Sequence, residues 1–371
     1  MIWKPVDHIT IYRSTTWYAA HPNIVRTPAG DLLTLFHRSP DLGYAHHHNP
    51  LFDVRACRST DNGKTWSKPD LVVSDPLGGV LDFGTHTLAD GSIYLHASTV
   101  ELIPSDDIPH SDNFSVISGI PFWVRSRDDG KTWSQPTRFP PVPDAIWGHP
   151  ASHAGVCRSQ ILSFPNGRII MPSKATNDSV NEEPYFGMIR LSDDHGKSWH
   201  YGGRIAQDPY NHFSEPAIHI TPTGRIIVLY RSHQKIRSQP NTKDSSESNR
   251  MSPTGLAMVE SNDGGESWSN WRHTTIQGYP PHMLKMRDGR IFLTAGTRWD
   301  GQLGCIGRVI EPEGSDINTS ESFSIRYDSN DRDCGYPWSV ELNDNQILVV
   351  YYYVHPDGTR GIEGTVLEEF N

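Results

Sequence analysis

Residue types able to do chemistry at neutral pH are scattered widely along the 371 residues. Glu215 is followed 16 residues later (231 − 215) by Arg231, and Arg298 and Tyr336 lie downstream. Near the start of the chain three histidines stand in a row in Asp41-Leu-Gly-Tyr44-Ala-His46-His47-His48-Asn49-Pro50. An imidazole has an unperturbed pKa near about 6.5, so it can give or take a proton at a pH where a solvated Asp cannot act as an acid. Further polar candidates are His21, Arg38, His86, Arg158, Gln160, His282 and Asp333. No local motif joins these residues, so whatever brings them together must come from the elements that carry them.

Those elements repeat. The phrase S-x-D-x-G-x-[ST]-W occurs four times: Ser59-Thr-Asp61-Asn-Gly63-Lys-Thr65-Trp66, Ser126-Arg-Asp128-Asp-Gly130-Lys-Thr132-Trp133, Ser192-Asp-Asp194-His-Gly196-Lys-Ser198-Trp199 and Ser261-Asn-Asp263-Gly-Gly265-Glu-Ser267-Trp268. It reads as a tight hairpin in which the Asp bonds amides of its own turn, the Gly takes a positive φ and the Trp folds back. The tryptophans are spaced by 67, 66 and 69 residues (133 − 66, 199 − 133, 268 − 199), which indicates a radial array.

Between the boxes, an apolar strand, a Gly or Asn turn and a second apolar strand recur six times. Asn23-Ile-Val-Arg-Thr-Pro-Ala-Gly30-Asp-Leu-Leu-Thr-Leu-Phe36 shows the form. Six such hairpins, each with an outer pair, predict an all-β, six-bladed β-propeller of four-stranded antiparallel sheets, formed as one domain over residues 1–371. The sixth blade has too few residues after Tyr353 to finish itself, so Asp7-His-Ile-Thr-Ile-Tyr-Arg13 is expected to supply its outermost strand and close the ring. The fifth blade carries Glu311 to Ser324 in place of a box. Stretches from Leu102 to Ile120, Thr137 to Ala154 and Ser232 to Pro253 read as long loops at the rim of the pocket.

In a propeller the inner strands start around one axis. His21, His86, Arg158, Gln160, Glu215, His282, Asp333 and Tyr336 then line one pocket, with Arg38, Arg231 and Arg298 at the ends of second strands. Each would cost about 1–3 kcal/mol if buried unpaired, which a polar, ligand-binding axis explains. Structural salt bridges between blades are the plainer reading of Arg231 and Arg298. The box aspartates are read as structural.

The boxes resemble the Asp-box of the sialidase (neuraminidase) superfamily. That resemblance implies a glycosidase whose site combines a carboxylate-binding arginine triad, a Tyr nucleophile polarised by a Glu, and a loop Asp as acid/base. Glu215 and Arg231 match the family's Glu and second arginine, Arg298 the third, and Tyr336 the nucleophile, with Tyr279 as a rival. Where the family has Tyr-Arg-Ile-Pro, this chain has Tyr18-Ala19-Ala20-His21-Pro22, and the loop expected to carry the acid/base Asp carries His46, His47 and His48.

The expected function is therefore an exo-glycosidase that removes a terminal, carboxylated sugar of sialic or uronic acid type, with a loop His, or Asp41 or Asp53, as acid/base. A lyase on a uronate-containing glycan with a His or Tyr base, and a non-catalytic glycan-binding propeller, are the alternatives. Trp147 and Trp338 are candidates for stacking on a sugar face. Adjacent histidines rarely point one way, so no metal is expected with Glu215 or His282, and no cofactor.

A formal charge of −10 argues against nucleic acid, while a local arginine cluster still suits an anionic small substrate. No apolar stretch reaches membrane-spanning length. The first residues, Met1-Ile-Trp-Lys-Pro-Val-Asp-His8, show no secretory h-region, giving a cytoplasmic expectation, or a secreted or periplasmic one had a signal been trimmed. The four cysteines show no C-x-x-C pair and read as buried free thiols.

Overall fold

A computed structural model describes residues 2–41, 49–75, 78–102, 116–143, 158–176, 184–234, 255–299 and 301–370. Strand β1 (Ile2–Ser14) is followed by the first complete sheet, β2 (Trp17–Arg26), β3 (Leu32–Pro40), β4 (Asp53–Ser59) and β5 (Asp70–Val73). The second holds β6 (Gly78–Thr87), β7 (Ile93–Leu102), β8 (Val116–Ser126) and β9 (Thr137–Arg138). The third holds β10 (Leu162–Ser163), β11 (Ile169–Ala175), β12 (Phe186–Ser192) and β13 (His200–Ala206). The fourth runs β14 (Asn211–Ile220), β15 (Ile226–Gln234), β16 (Ala257–Ser261) and β17 (Arg272–His273), and the fifth β18 (Pro281–Lys285), β19 (Ile291–Trp299), β20 (Gln302–Ile310) and β21 (Phe323–Arg326). The last is ordered β22 (Gly335–Asn343), β23 (Gln346–Val354), β24 (Arg360–Phe370), then β1.

The molecule is thus all-β, a six-bladed propeller closed by the N-terminal strand. β1 pairs with β24 from Ile2↔Phe370 to Ser14↔Arg360, a longer latch than the seven residues expected. All three expected loops are partly strand: Leu102 and residues 116–120 belong to β7 and β8, Thr137 opens β9, and Ser232 to Gln234 close β15. Thr137 and Arg138 thus form the outer edge of the second blade.

Apolar residues alternate along the strands so that each blade buries both faces against its neighbours. The core is accordingly divided among the blade interfaces. Ile24, Leu32 and Phe36 meet Trp338, Leu348 and Val350 between the first and sixth blades, and Leu35 and Val54 meet Val80 and Leu95 between the first and second. The box tryptophans wedge into these seams: Trp66 packs on the first-to-sixth cluster, Trp133 on the first-to-second, Trp199 on the second-to-third and Trp268 on the third-to-fourth.

Each box closes as its sequence demands. Asp61 accepts bonds from Ser59 Oγ at 2.8 Å and from the Thr65 amide at 2.9 Å, and Gly63 N donates to Ser59 Oγ at 2.8 Å. The hydrogen bonds from Thr65 hold the Asp61 carboxyl at about 2. The residue before each box glycine is left-handed too, as at Asn62 (φ 61°). Cys57, Cys305 and Cys334 are buried free thiols, and Cys157 lies outside the described residues.

Four innermost strands carry an irregularity at matching places. Pairing slips between Ala20 and Asn23 in β2, Leu81 and Gly84 in β6, Ser214 and Ala217 in β14, and Gly335 and Trp338 in β22. The first residue inside each slip is left-handed: His21 (φ 53°), Asp82 (51°), Glu215 (48°) and Tyr336 (53°). Bulges of this kind bend a strand and re-aim a side chain, and a left-handed non-glycine residue costs on the order of 1–3 kcal/mol. Arg158 and Tyr279 stand just ahead of the inner strands of the remaining two blades.

Candidate active site

The bulges aim side chains together. Tyr336 donates its hydroxyl to Glu215 Oε1 in a very short bond, and Arg231 Nη1 donates to Glu215 Oε2 at 2.8 Å and to the Tyr336 hydroxyl at 3.4 Å. Glu215 comes from β14 of the fourth blade, Arg231 from the facing end of β15, and Tyr336 from β22 of the sixth. Burial alone would raise the Glu215 carboxyl. The Arg231 charge and the hydrogen bonds from Tyr336 and Arg231 outweigh it and hold the group at about 2. Burial and the Glu215 charge raise the Tyr336 phenol, against the opposing pull of Arg231 and Arg298. The pair is therefore a phenol hydrogen-bonded to an anion across the working pH range.

Arg298 is positioned without a carboxylate. Its Nε donates to Cys334 O at 3.0 Å and its Nη2 to the Tyr352 hydroxyl at 2.5 Å, and Tyr352 in turn donates to Asp333 Oδ1 at 2.7 Å. Asp333 also accepts from Tyr18 at 2.9 Å and faces Arg360 Nε at 3.4 Å. Thus Asp333 braces Arg298 through a tyrosine, while the guanidinium lies 5.2 Å from the Tyr336 ring centre. Among the described residues Arg298 forms no salt bridge, so its charge is available to an anionic ligand.

Arg158 donates to the carbonyls of Tyr336 (3.2 Å) and Pro337 (2.7 Å) and stacks at 4.7 Å on Trp338. It fixes the bulge that carries Tyr336. The His21 ring lies 4.2 Å from the Tyr336 ring, and its Nδ1 is 3.3 Å from His37 Nδ1. Tyr279 lies under Arg231, ring centre to guanidinium 4.2 Å. Arg38 stacks at 4.1 Å on Trp17 and faces Asp53 at 3.6 Å, and Asp53 also binds Arg55.

His86, Gln160, His282 and Trp338 are placed differently. They lie in a layer of the central channel below the bulges, Gln160 just ahead of β10 and the other three further along their inner strands. His282 packs on Trp338 at 4.4 Å and bonds Ser339 Oγ at 3.0 Å, and His86 bonds Ser159 O at 3.0 Å. Gln160 holds the Met283 backbone with both ends of its amide (2.7 and 2.8 Å). Burial keeps both histidines well below their ordinary pKa. His46, His47, His48, Tyr44 and Trp147 lie outside the described residues.

Sequence reasoning passed over Asp82, the second blade's counterpart of His21, and chose His86 four residues on. Asp82 faces Lys174 Nζ at 3.5 Å. The signal was present: His21-Pro22, Glu215-Pro216 and Tyr336-Pro337 share a polar residue ahead of a ring, and Asp82-Phe83 occupies the same point of its repeat. Tyr18 and Tyr352, which brace Asp333, look like ordinary strand aromatics and give no such signal.

Box-stapled blades around a Tyr, Glu and Arg constellation define a propeller of the sialidase superfamily. The chain belongs to the family described as BNR repeat-like domain, which matches residues 112–349, and a BNR/Asp-box repeat matches residues 58–68. It is 26% identical over 223 residues to a sialidase of Clostridium perfringens, covering 58% of this chain and 55% of the relative. The chain spans about half the length of the curated relatives it matches. Among solved structures, a protein of unknown function from Dyadobacter fermentans DSM 18053 superposes with a TM-score of 0.83 at 26% identity over 99% of both chains. The GH93 α-L-arabinofuranosidase of Fusarium graminearum, solved with arabinobiose, shares the fold at a TM-score of 0.68 and 15% identity, over 98% of both.

Proposed function

We propose that the protein is a sialidase-like exo-glycosidase that releases a terminal, carboxylated sugar from a glycan. The Tyr336 hydroxyl, bonded to Glu215 and flanked by Arg231, is the observation that carries this reading. An anomeric carbon next to a carboxylate repels an anionic nucleophile, whereas a neutral phenol can approach it. Glu215 draws on the phenolic proton as the oxygen attacks, and its own charge offsets the oxocarbenium character of the transition state. Arg298, lacking an internal carboxylate partner, holds the sugar's carboxylate, and Arg231 divides its charge between that group and Glu215. Residue type assigns the proton for the departing oxygen to the His46 to His48 loop.

A panel of aryl sialosides, uronides and rhamnosides tests the proposal. Release from a carboxylated member, lost in Tyr336→Phe, is expected; absence of release from every member ends the exo-glycosidase reading. His21 at 4.2 Å from Tyr336 supports a second reading, a lyase in which the two share proton transfer. Its unsaturated product would absorb in the ultraviolet during digestion of a uronate-containing polysaccharide, and a hydrolase would leave the absorbance flat.

A further inference from the structure

Four basic side chains stand near the ends of second strands: Arg38 in β3, Lys174 in β11, Arg231 in β15 and Arg298 in β19. Three of them face a carboxylate directly. Arg38 meets Asp53 at 3.6 Å, Lys174 meets Asp82 at 3.5 Å and Arg231 meets Glu215 at 2.8 Å. Arg298 is the exception, because the Tyr352 phenol stands between it and Asp333.

The direction of the hydrogen bonds along this chain follows from residue type. A guanidinium only donates and a carboxylate only accepts, so the single phenolic proton points to Asp333 (2.7 Å) and the phenol oxygen takes an N–H of Arg298. Burial raises the Tyr352 phenol well above its ordinary value, against the pull of Arg298, and the Asp333 charge adds to the rise. Tyr352 therefore stays neutral. Asp333 has its ion pair elsewhere: Arg360 faces its Oδ2 at 3.4 Å, and Tyr18 donates to the same oxygen at 2.9 Å.

The contacts of Arg298 also have a side. Its Nε donates to Cys334 O at 3.0 Å and its Nη2 to Tyr352, and these two nitrogens form one edge of the planar guanidinium. The other edge, Nη1 with the second proton of Nη2, fits the two oxygens of a carboxylate. Arg298 is partly exposed, and its Nη1 has no hydrogen-bond partner among the described residues. Tyr352 itself pairs with Gly335 at the start of the bulge that carries Tyr336, and the two phenol rings lie 5.9 Å apart. We propose that Tyr352 is a positioning residue for carboxylate recognition: it turns the open edge of Arg298 toward the substrate and keeps that guanidinium out of a salt bridge with Asp333. This role rests on the reading of Arg298 as the carboxylate anchor.

Ligand-detected NMR titration of the full chain tests it, with N-acetylneuraminate and D-glucuronate each compared with its methyl ester, and with Arg298→Met marking the component that belongs to this site. A sugar acid is expected to bind more tightly than its ester. Tyr352→Phe should reduce that preference about tenfold, the scale of one lost hydrogen bond to a charged group, by weakening the acid and not the ester. Tyr18→Phe is the control for packing: it takes from the same carboxylate a buried phenol that makes no hydrogen bond to Arg298, and it should keep the wild-type preference. An unchanged preference in Tyr352→Phe overturns the positioning role, and so does an equal fall in Tyr18→Phe. If the wild type binds acid and ester equally, or binds neither acid, the carboxylate reading falls as well, so the two failures are distinguishable. Crystals of the wild type soaked in the preferred acid give an answer that needs no variant. The carboxylate is expected on the Nη1 edge with the Tyr352 contact intact, and a carboxylate that displaces Tyr352 from Arg298 contradicts the role.

Discussion

At the scale of residues, one hydrogen-bonded group, Tyr336, Glu215 and Arg231, sets the expectations. Tyr336→Phe should lower kcat by about 10³-fold or more, and Glu215→Gln by about 10²–10⁴-fold, on whichever glycoside the panel identifies. Unchanged near-ultraviolet circular dichroism would show that the fold survives both. The same carboxylate predicts a pH effect on stability. Glu215 is held at about 2 against an ordinary 4.5, so its contribution is complete above pH 4.5 and drains away as pH falls towards 2. At ~1.4 kcal/mol per unit, the wild type should lose ~2–3 kcal/mol more than Glu215→Gln across that window. Urea denaturation at stepped pH measures the difference, and parallel losses in the two proteins would contradict the assignment.

At the scale of elements, the boxes and the arginines that reach them join blade to blade. Arg125 in β8 is 7% exposed; it donates to Asp90 Oδ2 (2.5 Å) and Ser92 Oγ (2.7 Å) in its own blade, and to His195 O (2.8 Å) in the box of the next. Arg58 makes the same reach, bonding Asp31 at 2.9 Å and the Asp129 carbonyl of the following box. Replacing Arg125 with Met takes the ion-pair partner from Asp90, which keeps its bonds from the Ser92 amide (3.0 Å) and hydroxyl (2.6 Å), and leaves the His195 carbonyl of the next box without its donor. It should cost ~2–3 kcal/mol in thermal or chemical unfolding while KM stays at its wild-type value. A change in KM would mean that the seam communicates with the catalytic end of the channel. The boxes themselves were legible in the sequence, because Ser, Asp, Gly and Trp satisfy one another within eight residues. The bulges were legible only in part, since a register slip is a relation between two strands and leaves only a polar-Pro or polar-Phe pair as its trace.

At the scale of the whole molecule, the ring closes through a strand borrowed from the other end of the chain. β1 contributes His8 Nδ1 to Thr365 Oγ1 at 2.9 Å and Thr10 Oγ1 to Glu363 Oε2 at 3.0 Å, and it buries Trp3 against Phe292. Removing residues 1–14 exposes the β24 edge and uncovers that seam. The truncated chain should lose roughly 5 kcal/mol or more, a large share of a typical domain's stability, and should associate through the open edge. Light scattering during thermal unfolding reads both effects; a monomeric, wild-type melting curve would show that the latch is dispensable.

The sequence by itself determined the number of blades, the identity of the turn staples and the need for an N-terminal latch. These follow from local satisfaction and from counting, and both are written along one dimension. It also picked Glu215, Arg231, Arg298 and Tyr336 by type and by resemblance. Only the tertiary structure decided which polar residues share a layer. His21, Asp82, Glu215 and Tyr336 are turned into the channel by left-handed bulges, while His86, Gln160, His282 and Trp338 lie deeper beside a separate cavity. The reason is geometric. A shift of a few residues along an inner strand moves a side chain by ~3.3 Å per residue, enough to carry it from one end of the channel to the other, and its sequence neighbourhood looks the same in either place.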